Sequence, residues 1–243
     1  MAQADQAVER IKAKILEGVL LPGERLPPED KLAKRLGTSR NAMREAVRAL
    51  VALKILDVRQ GDGTYVTDLD PAQLLGPLAF AASVGQTKTV LEFLEARRLI
   101  EPQAAALAAA RMSPGDKRAL DRLLDQVSPT SEVEEFVSND LEFHHRIAVG
   151  AGNDVLTALL DNIAAPTQRA RVWRGQADLS AVPKTLAEHR HISAAIAAAD
   201  ADLARSLAEA HVAATQLYVR TNLADTTATH AVLHNPEHAT SPS

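Results

Sequence analysis

The chain has 243 residues and a formal net charge of −4, a length that accommodates one large domain or two ordinary ones. It contains no cysteine, which excludes disulfides, thiolate metal sites and cysteine nucleophiles. Aromatic residues make up only 3%, so the core must be built from aliphatic side chains and alanine, a composition that favours close-packed helices over sheets.

No run of about 18 uninterrupted apolar residues occurs, and the first residues lack a signal-peptide core; a cytoplasmic protein without a membrane partner is expected. The charge is uneven. Residues 1–68 hold 12 Lys and Arg against 10 Asp and Glu, and the remainder 15 against 21.

In chain order, apolar Val8, Ile11, Ile15 and Leu16 at helical spacing predict a first helix over 5–17, ended by Gly18 and the Leu20–Gly23 stretch. Pro27 and Pro28 open a short helix over 29–36, with Glu29 and Asp30 in its first turn as the helix dipole prefers. Gly37 stops it. Ser39 is a suitable N-cap for a third helix over 40–54 that buries Met43, Val47, Leu50 and Val51. Two helices joined by a tight turn at a glycine form the helix-turn-helix pattern. Two β-prone runs then flank Gly61-Asp62-Gly63, predicting a hairpin placed as a wing. This unit closes at Asp68.

Residues 69–87 carry Pro71, Gly76, Pro77 and Gly85 around one short helix and read as a linker and hinge. Helices are expected from there over 88–111, 114–126, 131–150, 153–173, 183–199 and 200–223. Residues 226–243, rich in Thr, His, Pro and Ser, read as a disordered tail. The fold class is thus mainly α: a winged helix-turn-helix over 1–68 (three helices plus a β-hairpin wing) and an all-α bundle of six to seven helices over 88–225.

Arg40, Arg44 and Arg48 recur every four residues on one side of the third helix, where they either face nucleic acid or form a solvated helix face. Helices of this kind enter the major groove N-terminus first, which puts Ser39, Arg40, Asn41 and Arg44 nearest the bases. Arg40 and Arg44 suit a guanine edge or a phosphate. The competing reading pairs Arg44 with a carboxylate such as Asp30. In the second half, Asp140 and His144 stack one helical turn apart, and His189 and His211 lie on the last two helices among Leu186, Ile192, Ile196, Leu207 and Val212. One carboxylate and three imidazoles converging in a bundle suit a first-row metal ion with open positions. A buried histidine is more often a hydrogen-bonded core residue, and both readings stand on spacing alone. His145 and His191 point about 100° away from their neighbours.

Several motifs carry a resemblance. Pro22-Gly23-Glu24-Arg25-Leu26-Pro27, Leu32-Ala33, Leu36-Gly37, Ser39-Arg40, Met43 to Leu50 and Gly61-Asp62-Gly63-Thr64-Tyr65-Val66 resemble the winged-helix domain of the GntR family. Asp140 to His144, Glu188-His189-Arg190 and His211 resemble the FCD effector domain of its FadR branch, over residues 71–225. The resemblance implies that Arg40 and Arg44 contact an operator, that Gly61 lets the wing tip approach the minor groove, and that Asp140, His144, His189 and His211 hold a divalent ion such as zinc or nickel. It further implies that a small carboxylate effector binds at that ion. Arg97 shares a helical face with Phe93, Ile100 and Ala104 and matches an arginine that reaches the pocket in relatives; the alternative is an Arg97–Glu101 pair within the helix. Arg169 and Arg146 are weaker candidates. Two positions depart from the family: Asp30, where a basic residue is frequent, and Lys54, where glycine is frequent and a left-handed C-cap is expected.

The function these features imply is a homodimeric DNA-binding transcription regulator, by family habit a repressor, that recognises a pseudo-palindromic duplex operator and releases it on binding the acid. It is expected not to be an enzyme. The alternatives are a metal-dependent hydrolase-like domain, with Glu142 or Glu188 as the only base candidates, and a purely structural metal domain joined to an unregulated DNA-binding module.

Overall fold

The computed structural model describes residues 2–75, 87–178 and 180–223, with backbone alone at 87, 165, 166, 169, 170, 173, 174, 177 and 223. The expected tail, most of the linker and the Arg169 side chain lie outside the described residues. The chain separates into two compact units, Met1–Leu74 and Leu75–Ser243.

In the first unit, α1 (Gln3–Leu16), α2 (Glu29–Arg35) and α3 (Arg40–Ala52) precede β1 (Leu56–Arg59) and β2 (Gly63–Val66). Helix α1 buries Ala7 and Ile11 one turn apart. Its Arg10 donates from Nη1 to the carbonyls of Leu36, the C-cap of α2, and Gly37, which ties α1 to the turn between the two later helices. Ser39 caps α3, its hydroxyl accepting from the Ala42 N–H at 3.2 Å. Met43, Ala46, Val47 and Leu50 enter the core on one face of α3.

Leu56 pairs with Val66 at the base of the antiparallel hairpin, and both are buried. A further segment joins this sheet: the Leu26 N–H donates to the Thr64 carbonyl at 2.7 Å and the Val66 N–H to the Glu24 carbonyl at 2.9 Å. A contact this short and non-alternating leaves no pattern in the sequence.

Helix α3 ends at Ala52 with Leu53 as its C-cap, and Lys54 beyond it takes a left-handed φ of 59°. The Ile55 N–H reaches back to the Leu50 carbonyl and the Lys54 N–H to Val51, the bonding of a Schellman cap, where glycine is the residue without a Cβ penalty.

The second unit follows a short α4 (Pro71–Leu74) and holds, among the described residues, α5 (Thr87–Arg111), α6 (Pro114–Leu124), α7 (Val133–Gly150), α8 (Asp154–Ala177), α9 (Ala181–Ala197) and α10 (Ala201–Leu223). Its core joins Leu120, Leu124, Phe143, Ile147, Leu186, Ile192 and Ile196 to Ala105, Ala108, Ala204 and Ala208. The alanines sit on α5 and α10, the most extensively packed pair, where small side chains let the helices approach closely.

Several helix boundaries shift by two residues or more from expectation, two of them for a reason that can be named. Helix α9 starts at Ala181, ahead of Pro183, because a first-turn proline forfeits no intrahelical bond. Helix α8 continues through Gly175 because that glycine serves packing: a Cβ there would lie 2.7 Å from Val133 Cγ1 on α7. No helix among the described residues is long and apolar enough to cross a membrane.

Replacing Lys54 by glycine is expected to raise the stability of the winged-helix unit by about 0.5–1 kcal/mol, the left-handed penalty less the added chain entropy. Urea unfolding followed by helical circular dichroism checks this; an unchanged or lower midpoint contradicts it.

Candidate functional site

Because α3 buries one face, the opposite one is free. Arg40, Asn41, Arg44 and Arg48 are all exposed on it. Arg44 does meet a carboxylate, but the partner is Glu29 rather than Asp30: Nε lies 3.6 Å from Oε2, with both side chains more than two-fifths exposed. Such a pair is weak and screened, so it leaves Arg44 available. At the wing, Gly61 takes a φ of 77°. The Arg59 guanidinium lies 4.0 Å over the Tyr65 ring, whose hydroxyl donates to Asp62 at 2.7 Å. Arg25 approaches the same Asp62. Arg25 and Arg59 add exposed cations beside the wing tip; Arg59 has no spacing or motif that marks it beforehand.

The other site is buried. Asp140 and His144 lie one turn apart on α7, His189 on α9 and His211 on α10, all under 9% exposed. One ligand atom from each lies within 4.8 Å of every other. His189 Nε2 is 3.4 Å and His144 Nε2 3.6 Å from the same Asp140 oxygen, Oδ1. Neither nitrogen makes a hydrogen bond. An unsatisfied buried polar atom costs roughly 1–3 kcal/mol, and here two converge on one carboxylate oxygen. Three imidazoles and a carboxylate are also the donor set that a divalent first-row ion takes. The residues fit such an ion.

The surroundings orient these rings. His144 Nδ1 is 2.6 Å from Glu101 Oε1, and His211 Nδ1 is 2.8 Å from Glu188 Oε2. A carboxylate on Nδ1 fixes the tautomer and turns Nε2 toward the centre. His189 is held instead by stacking, its ring 4.3 Å from that of Phe143 and nearly parallel to it. Burial works against charge on His144, but the carboxylates of Glu101 and Asp140 outweigh it and hold the imidazole up to about 9. Burial would raise Glu101 likewise, yet Arg97 and His144 keep its carboxyl well below the usual range. Burial, then the nearby His211 and His144, push His189 well below the ordinary histidine value, leaving it neutral.

Arg97 points inward, as its helical face implies. Nε donates to Glu101 Oε2 at 2.8 Å and Nη1 to Thr167 Oγ1 at 3.0 Å, while the buried Nη2 lies 2.6 Å from Glu101 Oε2 and makes no hydrogen bond among the described residues. The pair within the helix is therefore present, and it meets the carboxylate that contacts His144. The cation that meets the metal-ligand candidates directly is Arg171 on α8, which donates to Asp140 Oδ2. The sequence reading pointed to Arg169, two positions earlier, because nothing local marks Arg171. Glu188, expected only as a base candidate, faces away from its neighbour His189 but toward His211 on the next helix. Glu142 pairs with Arg146 at 2.7 Å. His145 pairs with Asp161 at 3.0 Å near the surface, and His191 is exposed.

Two hollows adjoin the cluster. A cavity of about 710 Å³ is lined by Arg97, Glu101, Asn139, Glu142, His144 and Asp161, among others. A cleft of about 20 Å³ is lined by Phe136, Asp140, Arg171, Thr185 and His211, among others, room for about one water.

A winged helix with an exposed basic recognition helix, followed by a separate helical unit with a buried histidine–carboxylate centre, defines a DNA-binding transcription regulator. The chain belongs to the gntR family of bacterial regulatory proteins, whose profile matches residues 3–66; that of the FCD domain matches residues 92–214, a span that contains all four metal-ligand candidates. It is 31% identical to the HTH-type transcriptional regulator LutR of Bacillus subtilis, over 82% of this chain and 92% of that protein. It is 29% identical to the galactonate operon transcriptional repressor of Escherichia coli, over 85% of this chain and 92% of that one. Among solved structures, a Streptococcus agalactiae GntR is similar with a TM-score of 0.59 at 27% identity, over 88% of this chain and 99% of its own.

Glu188 is one-third exposed, so its loss should spare the fold while freeing the His211 ring. Glu188→Gln is expected to weaken divalent-ion affinity by about 10–100-fold with an unchanged melting temperature for the chelated protein. Competition against a chromophoric chelator measures this, and unaltered affinity contradicts it.

Proposed function

We propose that the chain is a homodimeric repressor whose hold on its operator weakens when a small carboxylate binds at a divalent ion, zinc or nickel, carried by Asp140, His144, His189 and His211. The observation that carries this reading is the buried donor set whose convergent nitrogens find no partner among the described residues. When bound, the ion supplies a Lewis-acidic centre for an anionic oxygen. Four protein ligands leave one or two octahedral positions for water or the acid. Arg97 supports the centre through Glu101. The relative described as a galactonate operon repressor supports a sugar acid or similar hydroxy acid as the effector class.

On the DNA side, Arg40, Asn41 and Arg44 are the residues for base edges, Arg48 serves a phosphate, Ser39 holds the N-terminus of α3 that enters the groove, and Gly61 shapes the wing tip. Two copies of α3 reading half-sites one helical turn apart require a dimer and a pseudo-palindromic operator. The acid need only favour a bundle geometry less compatible with that spacing; a coupling of about 1–3 kcal/mol gives roughly 5–150-fold control.

The test is operator release. A duplex selected from a random pool by the metal-loaded protein is titrated by fluorescence anisotropy with a panel of hydroxy acids and sugar acids, before and after chelation. One acid is expected to weaken binding only when metal is present. Arg44→Ala is expected to bind the duplex roughly tenfold or more weakly, the loss of one good base or phosphate contact. Release that survives chelation, or no release by any acid, contradicts the proposal.

A further inference from the structure

The wing carries a second set of exposed cations, apart from those of α3, and strand pairing places them on one face. Across the hairpin Asp57 lies opposite Tyr65 and Arg59 opposite Gly63. Arg25, from the segment ahead of α2, bridges to Tyr65 along the other edge of β2. Side chains at opposed and at alternate positions share a face of a sheet, so Arg25, Tyr65 and Arg59 stand together. Leu26, Leu56 and Val66, at the neighbouring positions, are buried in the core, which leaves the arginine face toward solvent.

The two guanidiniums are held in place but not used up. Arg59 lies 4.0 Å over the Tyr65 ring, with Nε 3.5 Å from Asp57 Oδ2. Arg25 crosses the wing tip where Gly63 has no side chain; a Cβ there would lie 2.6 Å from Arg25 Nε. Its Nη1 comes to 3.8 Å from Asp62 Oδ1, while Oδ2 of the same carboxylate accepts from the Tyr65 hydroxyl at 2.7 Å. Both arginine side chains are more than half exposed, so these ion pairs are weak and screened. The Asp62 carboxylate is thus an anion that accepts from a hydroxyl and faces a guanidinium, and phosphate oxygens satisfy the same donors.

We propose that Arg25 and Arg59 grip the phosphate backbone of the bound duplex beside the wing, and that Asp62 occupies the grip in the free protein until a phosphate replaces it. The inference rests on the DNA-binding reading above, in which α3 seats the duplex; β1 packs against α3, which keeps the wing next to that duplex. Phosphate contacts fix register and carry no sequence information. The grip therefore adds affinity for any duplex, and the choice of bases stays with α3. Arg25 belongs to neither α3 nor the hairpin, and Gly63 is what lets it reach.

The experiment uses the full chain and two duplexes, the selected operator and one of unrelated sequence, with binding read by fluorescence anisotropy over a range of potassium chloride concentrations. Wild type, R25Q, R59Q, D62N and the R25Q/D62N double variant are compared, with circular dichroism on each. R25Q and R59Q should each bind both duplexes several-fold more weakly, and each should flatten the slope of log K against log salt by about one. D62N should bind both duplexes more tightly, and the double variant no better than R25Q. A wild-type slope in R25Q or in R59Q overturns the inference, as does a loss confined to the operator, which would make these arginines base readers. Loss of helical content in R25Q and R59Q also overturns it, making the wing cations structural. D62N binding no tighter than wild type, or adding the same gain to R25Q, overturns the role given to Asp62. A wild type that selects no operator and binds neither duplex overturns the DNA-binding reading and the inference together.

Discussion

Three imidazoles and a carboxylate packed within 4.8 Å of one another in a helical core are the constraint on which the second unit depends. Each polar atom there has lost its water, and the interior replaces that water only in part. Carboxylates answer the outward nitrogens of His144 and His211. The inward nitrogens of His144 and His189 have no answer among the described residues. A core that leaves such atoms unpaired so close together offers a donor set that could hold a cation.

The partners of that cluster draw on most of the bundle. Arg97 and Glu101 come from α5, Asp140 and His144 from α7, Arg171 from α8, Glu188 and His189 from α9, and His211 from α10. Only α6 contributes nothing among the described residues. Whatever binds at the centre therefore acts on five helices at once, because tightly packed side chains transmit displacement rather than absorb it. The pair of Arg97 and Glu101 has the greatest leverage: both are almost wholly buried, and removing one member of a buried pair strands the other's charge. In the winged-helix unit the logic is reversed. The apolar face of α3 is fixed in a core, and its cations are left exposed and weakly paired, ready to exchange water for phosphate.

Much of this was legible in the chain. Helical periodicity located the helices, and Gly37, Ser39 and the Gly61-Asp62-Gly63 turn placed the helix-turn-helix and its wing. The spacing of Asp140 and His144 put them on one face, and Lys54 announced a strained cap by standing where glycine is usual. What escaped shares one cause: it depends on pairing between elements. The contact of Glu188 with His211 was hidden because its partner lies on another helix. The bond from Arg97 to Thr167 spans seventy positions, so only its pair with Glu101 could be read from spacing. Arg171 had no local feature to mark it, and the helix expected to end at 173 runs on through Gly175, whose neighbour Val133 belongs to a different helix. Periodicity tells which face of a helix is buried, not what it is buried against.

The central claim is that Asp140, His144, His189 and His211 bind a divalent ion, and calorimetric titration of chelator-stripped protein with Zn²⁺ tests it most directly, with His189→Ala beside the wild type. The account predicts one ion per wild-type chain and loss of that binding in the variant, whose remaining fold is checked by circular dichroism. Zinc binding of equal strength in the folded variant, or none in the wild type, would contradict it.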